Sequence, residues 1–194
     1  MSESRLANRR ILVGVSGGIA AYKTATLVSR LVQGGADARV IMTEAATRFI
    51  TPLTLQSLSG HPVLTSVWDH DDRPDSQHVG LARWCELLVV APCSADMIAK
   101  LAAGLTPDVV SLTACALPAE TPLLLAPAMN ADMWANPIVQ RNLGTLRDAL
   151  PNLQEVGPED GWQACRTSGG GRMAEPESIA AAIVQSLDAL PSKN

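Results

Sequence analysis

Short, uninterrupted apolar runs alternate with helical patterns along this chain of 194 residues. The apolar runs are 10-RILVGV-15, 37-DARVIM-42, 87-LLVVAP-92 and 122-PLLLAPA-128. Strands that are apolar on both faces are typical of a parallel sheet covered by helices on both sides. The pattern therefore predicts a doubly wound α/β fold, flavodoxin-like or Rossmann-like, with helices on both faces of a parallel sheet.

Helical patterns fill the intervals at 19–33 and 94–104, and two more follow at 137–150 and 177–190. In the first of them, Leu27 and Leu31 repeat at a spacing of four, and Gly34-Gly35 supplies a stop. The length fits a single domain over residues 1–194, with flexible ends at 1–9 and 191–194. The stretch 69-DHDDRPDSQ-77 is predicted to be an exposed acidic loop.

Charge and hydropathy narrow the class of function. The formal net charge of -4 disfavours nonspecific binding to nucleic acid, which requires a basic surface. The start, MSESRLANRR, does not have the pattern of a signal peptide, and no apolar window approaches the length of a membrane span. These features predict a cytoplasmic protein that acts on small molecules, away from membranes.

The cysteines and histidines do not have the spacing of a metal site. There is no C-x-x-C pair among the cysteines, and the three histidines lack ligand spacing, so neither zinc nor a disulfide is expected. Three cysteines are predicted to be buried as small apolar residues: Cys85, Cys93 and Cys115. The fourth, Cys165, lies in 163-QACRTSGGGRMAEP-176, a segment predicted to be too glycine-rich for a helix or a strand interior. Its thiol could bind a metal, form a disulfide, attack a substrate or donate a proton.

Hydroxyl groups follow three of the predicted strands, where ligands bind in folds of this type. The segments concerned are Ser16-Gly17-Gly18, Thr43-Glu44 and Ser94-Ala95-Asp96. Each hydroxyl is predicted to begin a helix, where it acts as an N-cap or contributes to an anion site. The sequence 14-GVSGG-18 has Ser16 at the second glycine of a dinucleotide motif, which leaves NAD as a minor alternative with Glu44 on the ribose.

Two further residues are candidates for chemistry. His78 opens 78-HVGLARWC-85 and is either structural or a proton-transfer group. Asn130, in 126-APAMNADMWANP-137, carries an amide that can bind a ligand carboxylate. Its neighbours Met129, Met133 and Trp134 are interpreted on pattern alone as core residues.

Four ordered motifs, 15-VSGGIAAYK-23, 78-HVGLARW-84, 127-PAMNADMW-134 and 164-ACRTSGGGRMAEP-176, resemble the flavin-dependent cysteine decarboxylases over about residues 10–190. The resemblance implies a homotrimer or a multiple of trimers that binds FMN at subunit contacts. It also implies a phosphopantothenoylcysteine synthetase as a separate or fused partner. Arg166 departs from the family, which often has glycine after the cysteine.

The resemblance implies roles for individual residues. The flavin would contact the strand ends at Ser16, Gly17, Gly18, Ile19, Thr43, Ser94, Ala95, Asp96, Met97 and Ala128. The substrate would contact Asn130, Met133 and a flap formed by Trp162, Gln163 and Ala164. His78 matches the catalytic histidine, and Cys165 lies at the tip of the flap, where its glycines allow movement and its thiol donates a proton.

The implied activity is FMN-dependent decarboxylation of 4'-phosphopantothenoylcysteine in coenzyme A biosynthesis, through transient thiol oxidation, loss of carbon dioxide and reduction of the enethiol. Three alternatives share the fold. Peptidyl-cysteine decarboxylases stop at the enethiol, and the presence of Cys165 disfavours this alternative. Flavin prenyltransferases lack the motif that contains Asn130, and the regulatory, non-catalytic flavoproteins typically carry long acidic extensions.

Overall fold

The computed structural model describes residues 5–68 and 76–189. Most of the predicted acidic loop at 69–77 lies outside these residues, as do residues 1–4 of the first predicted flexible end and all of the second, 191–194. No helix in the two described ranges is long and apolar enough to cross a membrane.

The described residues form strands and helices in an alternating order. The strands are β1 (Arg10–Val15), β2 (Asp37–Met42), β3 (Leu87–Cys93), β4 (Leu123–Pro127), β5 (Leu153–Glu155), β6 (Glu159–Trp162) and β7 (Ser168–Arg172). The helices are α1 (Ala21–Gln33), α2 (Glu44–Thr47), α3 (Pro52–Ser59), α4 (Gln77–Trp84), α5 (Ala95–Ala103), α6 (Val109–Cys115), α7 (Ala131–Ala135), α8 (Pro137–Ala149) and α9 (Pro176–Asp188).

Five of the strands form one parallel sheet in the order β2-β1-β3-β4-β5. The register places Val13 of β1 between Val40 of β2 and Val89 of β3, and Val89 beside Leu124 of β4. This order is that of the flavodoxin-like folds, so the predicted doubly wound sheet is confirmed.

Alternation along the strands builds a separate core on each face of the sheet. Val13 and its neighbours in register pack under α1 and α9, which contribute Leu27 and Ile183. Leu12 and Leu88 point to the opposite face and pack with Ile98 of α5 and other residues of α6 and α8. Because both faces are covered, the central strands are apolar throughout their length, as the sequence indicated.

The glycine-rich segment is a strand, contrary to the prediction. Residues Ser168–Arg172 form β7, which pairs antiparallel with β6 in a hairpin separate from the main sheet. A Cβ atom on Gly169 would lie 2.8 Å from Cβ of Ala131, and one on Gly171 would lie 2.5 Å from the carbonyl oxygen of Met129. Gly171 also has a φ of +110°. The glycines thus allow a strand to pack directly against another backbone.

The cysteines follow the predictions with one exception. Cys85 and Cys93 are buried, and burial raises the pKa of Cys85 to about 12 and also raises that of Cys93. Cys115 is exposed, so the prediction that it is buried is wrong. It is the last residue of α6, where its position at the helix end decides its exposure.

Several short elements carry no strong sequence signal. The helices α3, α4, α6 and α7 and the short strands β5 and β6 were not predicted, and of α2 only the start at Thr43-Glu44 was predicted. They are too short to show a helical or strand period, and their form depends on caps and on tertiary packing. Three of these helices, α2, α6 and α7, begin close to the carboxyl edge of the sheet and so contribute to the site.

Candidate active site

A cavity of about 1370 Å³ opens at the carboxyl edge of the sheet. The loops after β1, β2, β3 and β4 line it, together with the β6–β7 hairpin. The residues that were predicted to bind a ligand and that line the cavity are Gly17, Gly18, Ile19, Thr43, Ser94, Ala95, Asp96, Ala128, Asn130, Met133, Trp162, Gln163, Ala164 and Cys165. The fold therefore brings together most of the candidate residues, which are far apart in sequence.

Two glycines in the loop after β1 shape one wall. A Cβ atom on Gly17 would lie 2.6 Å from Cβ of Ala45, so glycine permits the close approach of this loop to α2. Gly18 has no neighbour within 4 Å of a would-be Cβ atom, which leaves its backbone open to the cavity. Such an open backbone is suited to close contact with a ligand.

The hydroxyls of Thr43 and Ser94 are N-caps. Thr43 Oγ1 accepts a hydrogen bond from the backbone N–H of Ala46 at 3.2 Å, and Ser94 Oγ accepts one from Met97 at 3.2 Å. Both residues also line the cavity. The two interpretations of the sequence are therefore compatible, because a cap residue at a helix start also lies where an anion is favoured.

Ser16 differs from the other two hydroxyls, because it does not begin a helix and lies beneath the cavity. α1 begins only at Ala21, and Ser16 is buried. Its Oγ donates to the carbonyl of Pro92 at 2.8 Å and accepts from the backbone N–H of Ser94 at 2.9 Å. Ser16 thus joins the ends of β1 and β3 and fixes the loop that carries Ser94.

We expect Ser16→Ala to lower the free energy of unfolding by about 1–3 kcal/mol, because it removes the buried bond to the carbonyl of Pro92 and leaves the backbone N–H of Ser94 without its acceptor. Urea unfolding of the two proteins would measure the difference. Ser178→Ala, at an exposed position of α9, is the matched control. Equal effects of the two substitutions would contradict the bridging role.

Two neighbouring residues of α5, Asp96 and Met97, lie in different environments. Met97 is fully buried in the core below the sheet edge and does not line the cavity, although it was predicted to contact the cofactor. Asp96 and Lys100 face the cavity, and Lys100 Nζ donates to Asp96 at 2.6 Å and to Asp108 at 3.1 Å. Burial acts to lower the pKa of Lys100, but the bonds to these two carboxylates outweigh it and raise the pKa.

Asn130 is positioned by the start of α7. Its Oδ1 accepts from the backbone N–H of Met133 at 2.9 Å and caps the helix. Within the described part of the chain its Nδ2 has no hydrogen-bond partner, so the amide N–H groups are available to a ligand carboxylate. Met133 is exposed and lines the cavity. Met129 also lines it and, like Trp134, packs against the core.

The β6–β7 hairpin carries Cys165 at its tip, where the thiol is exposed and lines the cavity. Cys165 Sγ lies 2.9 Å from Thr167 Oγ1 and 3.5 Å from Gln163 Oε1. Gln163, which was predicted to contact the substrate, lines the cavity; it is also buried, and its amide bonds to other backbone segments. Arg166 has a φ of +65°, a conformation that glycine adopts more readily than arginine.

A cluster of charged residues at one end of the cavity was not predicted from the sequence. Lys23 is buried, and its Nζ donates to the carbonyl of Met173 at 3.1 Å and to Glu175 at 3.0 Å. Arg172 binds the same carboxylate. The bond from Lys23 is the main cause that lowers the pKa of Glu175. Two cations share one carboxylate, which leaves an excess positive charge. The sequence signal that could have revealed this cluster was Lys23, a lysine on the buried face of α1.

His78 does not line the cavity of its own chain. It lies in the first turn of α4, which packs beside α6. Because α4 ends just before β3 begins, its first turn lies toward the carboxyl edge of the sheet. The structure therefore leaves His78 outside the cavity that holds most of the other candidate residues.

The residues that line the cavity fit a flavin. Gly18 leaves the backbone open after β1, and the capped starts of α2 and α5 lie beside it. Ile19, Ala128 and Met129 supply apolar surface for a ring. A phosphate group at the capped edge and a ring on the apolar wall would match the chemistry of these residues. No group of three or more potential metal ligands occurs in the described ranges.

Comparison with known proteins agrees with this chemistry. Residues 1–188 match the family described as Flavoprotein. A coenzyme A biosynthesis bifunctional protein CoaBC of Escherichia coli strain K12 is 48% identical over 174 residues, which cover 90% of this chain and 42% of that protein. The chain thus spans less than half the length of such relatives.

Two solved structures are similar over nearly the whole chain. A PPC decarboxylase mutant in complex with pantothenoylaminoethenethiol is 31% identical with a TM-score of 0.82, and the match covers 94% of this chain and all of that one. The FMN-dependent cysteine decarboxylase SpaF is 31% identical with a TM-score of 0.78, over 94% and 97% of the two chains.

The fold and the cavity therefore define a flavin-binding protein of the flavodoxin-like class. The chain belongs to the flavoprotein family, and within it the similarity is to the PPC decarboxylases.

Proposed function

We propose that this chain is an FMN-dependent phosphopantothenoylcysteine (PPC) decarboxylase, which forms 4'-phosphopantetheine and carbon dioxide in coenzyme A biosynthesis. The observation that carries the proposal is the placement of Asn130 and Cys165 in one cavity. One offers free amide N–H groups for a carboxylate, and the other offers a thiol. The similarity to a PPC decarboxylase and to CoaBC proteins supports the same substrate.

Each group of the cavity has a defined task in this reaction. Bound FMN supplies the electron sink that decarboxylation of a cysteine requires and returns the electrons afterwards. Asn130 holds the substrate carboxylate through Nδ2, because its Oδ1 is already bonded to Met133. Cys165 provides a proton to the carbon atom that must become saturated. The excess positive charge of Lys23 and Arg172 favours anionic groups at that end of the cavity.

The thiol of Cys165 favours a reaction that proceeds to the saturated product. The reaction of the peptidyl-cysteine decarboxylases, in contrast, ends at the enethiol. The positions of Asn130 and Met133 support a cysteine substrate over prenyl transfer. A regulatory role would not require a thiol and a carboxylate-binding amide in one cavity. Cytoplasmic location and association with a synthetase, fused or separate, remain predictions.

We expect the purified protein to be yellow and to release FMN on heating, because the capped strand ends and the apolar wall fit a phosphate and a ring. Absorbance and chromatography of the released cofactor would identify it. Incubation with PPC should then yield carbon dioxide and 4'-phosphopantetheine, as measured by mass spectrometry. A colourless protein that also fails to bind added FMN would overturn the proposal.

A further inference from the structure

Gln163 is buried within the predicted flap, which in the structure forms the exposed tip of the β6–β7 hairpin, residues 162–168. Among residues 162–168, all of which are described, it is the only one whose side chain is buried. Trp162 and Cys165 on either side are exposed. Burial of an amide is unfavourable unless its donors and acceptor are satisfied, so the contacts of Gln163 indicate what holds the flap in place.

The amide of Gln163 joins two segments of the chain through both of its polar atoms. Its Oε1 accepts from the backbone N–H of Ala131 at 3.1 Å. Its Nε2 donates to the carbonyl of Gly170 at 2.6 Å and to that of Gly169 at 3.2 Å. One side chain thus connects the flap tip with the β7 strand and with the start of α7.

The contact with Ala131 connects the flap to the residue predicted to hold the substrate. Ala131 is the first residue of α7, directly after the cap residue Asn130. The first N–H groups of a helix have no partner inside the helix, and Gln163 satisfies one of them. Its Oε1 also lies 3.5 Å from Cys165 Sγ, so the same atom contacts the thiol.

We propose that Gln163 is a positioning residue, which ties the flap to the Asn130 loop and so holds the thiol of Cys165 over the reacting carbon atom. The proposal rests on the proposed function, and it assigns to Gln163 a role other than substrate contact. Only a side chain with an acceptor and a donor on the same carbon atom makes both connections, which explains why an amide is needed.

Substitution at Gln163 should separate the two halves of the reaction. Gln163→Met keeps the length of the side chain but makes neither connection. Asn130 keeps its own bond to Met133, and Met129 keeps its bond to Gly171, so the substrate site remains ordered. The flap tip alone is released. We expect normal FMN content and normal release of carbon dioxide, with formation of saturated product reduced about 100-fold by misplacement of the thiol.

Two further variants sharpen the test. Gln163→Glu keeps an acceptor for Ala131 but presents a carboxylate to the carbonyl of Gly170, and we expect it to fail in the same step. Gln185→Met, at an exposed position of α9, is the matched control and should behave as wild type. Wild-type formation of saturated product by Gln163→Met would overturn the proposal, as would a parallel loss of FMN and of carbon dioxide release.

Proteolysis tests the connection that Gln163 makes between the flap and the Asn130 loop, here called the tether, without any substrate. Arg166 lies exposed at the flap tip, and trypsin must open the hairpin to cut after it. We expect the rate of this cleavage to rise about tenfold in Gln163→Met, since the lost bonds stabilise the closed hairpin. Unchanged cleavage would contradict the tether. Should wild type fail to decarboxylate PPC while the variant is cut faster, the proposed function fails and the tether stands.

Discussion

Replacement of Cys165 by serine is expected to stop the reaction after release of carbon dioxide. A thiol is a far stronger acid than an aliphatic hydroxyl, so serine cannot replace it as a proton donor to carbon. The variant should retain FMN, convert PPC to the enethiol and accumulate it. We expect formation of saturated product to fall by about 10²–10⁴-fold, the contribution that general acid catalysis makes.

Anaerobic mixing with PPC provides the measurement. The flavin absorbance should stay bleached in the variant, and mass spectrometry should find an intermediate that is two hydrogens lighter than 4'-phosphopantetheine. Cys115→Ser is the matched control, because that cysteine is also exposed but lies at the end of α6 and does not line the cavity. If Cys165→Ser makes saturated product at the wild-type rate, the thiol is not the donor.

Substitution of His78 should abolish an earlier step. We expect His78→Asn to retain FMN and to lose release of carbon dioxide by about 10²–10⁴-fold. The matched control is His61→Asn, since His61 pairs with Asp37 at the opposite, amino edge of the sheet, with 2.8 Å between His61 Nε2 and Asp37 Oδ1. Near wild-type release by His78→Asn would leave this histidine with a structural role.

Because His78 lies outside the cavity of its own chain, the experiment can also test whether two subunits form each site. If each site combines the cavity of one subunit with His78 of the next, oligomers that contain both inactive variants recover some complete sites. Random mixing of His78→Asn and Cys165→Ser chains in a ring should restore about a quarter of the sites. Activity that stays at the level of the separate variants would show that both groups act within one chain, and light scattering would measure the size of the assembly.

Most of the fold was predictable from the sequence. The strands Arg10–Val15 and Asp37–Met42 were predicted to the residue, and the ends of the long helices to within about two residues. These segments are long enough to show a period, and their apolar content reports burial on both faces of the sheet. The hydroxyls and glycines after the strands marked the correct edge for the same reason, since parallel strands end together.

The geometry of the site was decided by the tertiary structure. Ser16, Thr43 and Ser94 look alike in sequence, yet Ser16 bonds to Pro92 beneath the cavity, whereas the other two cap helices at its wall. Met97 points into the core because α5 turns that face to the sheet. Each outcome depends on the partners that packing supplies across long stretches of the chain, which residue type and spacing do not specify.

The glycine-rich segment shows most clearly what the sequence determined and what it left to the fold. The glycines at residues 169–171 allow backbone conformations and close approaches to neighbours that larger residues would not permit. Whether the segment forms a loop or a strand depended on which part of the chain packs against it. The backbone of Met129 and Asn130 lies there, within contact of any Cβ atom at Gly171, so the segment became a strand packed against the loop of the site.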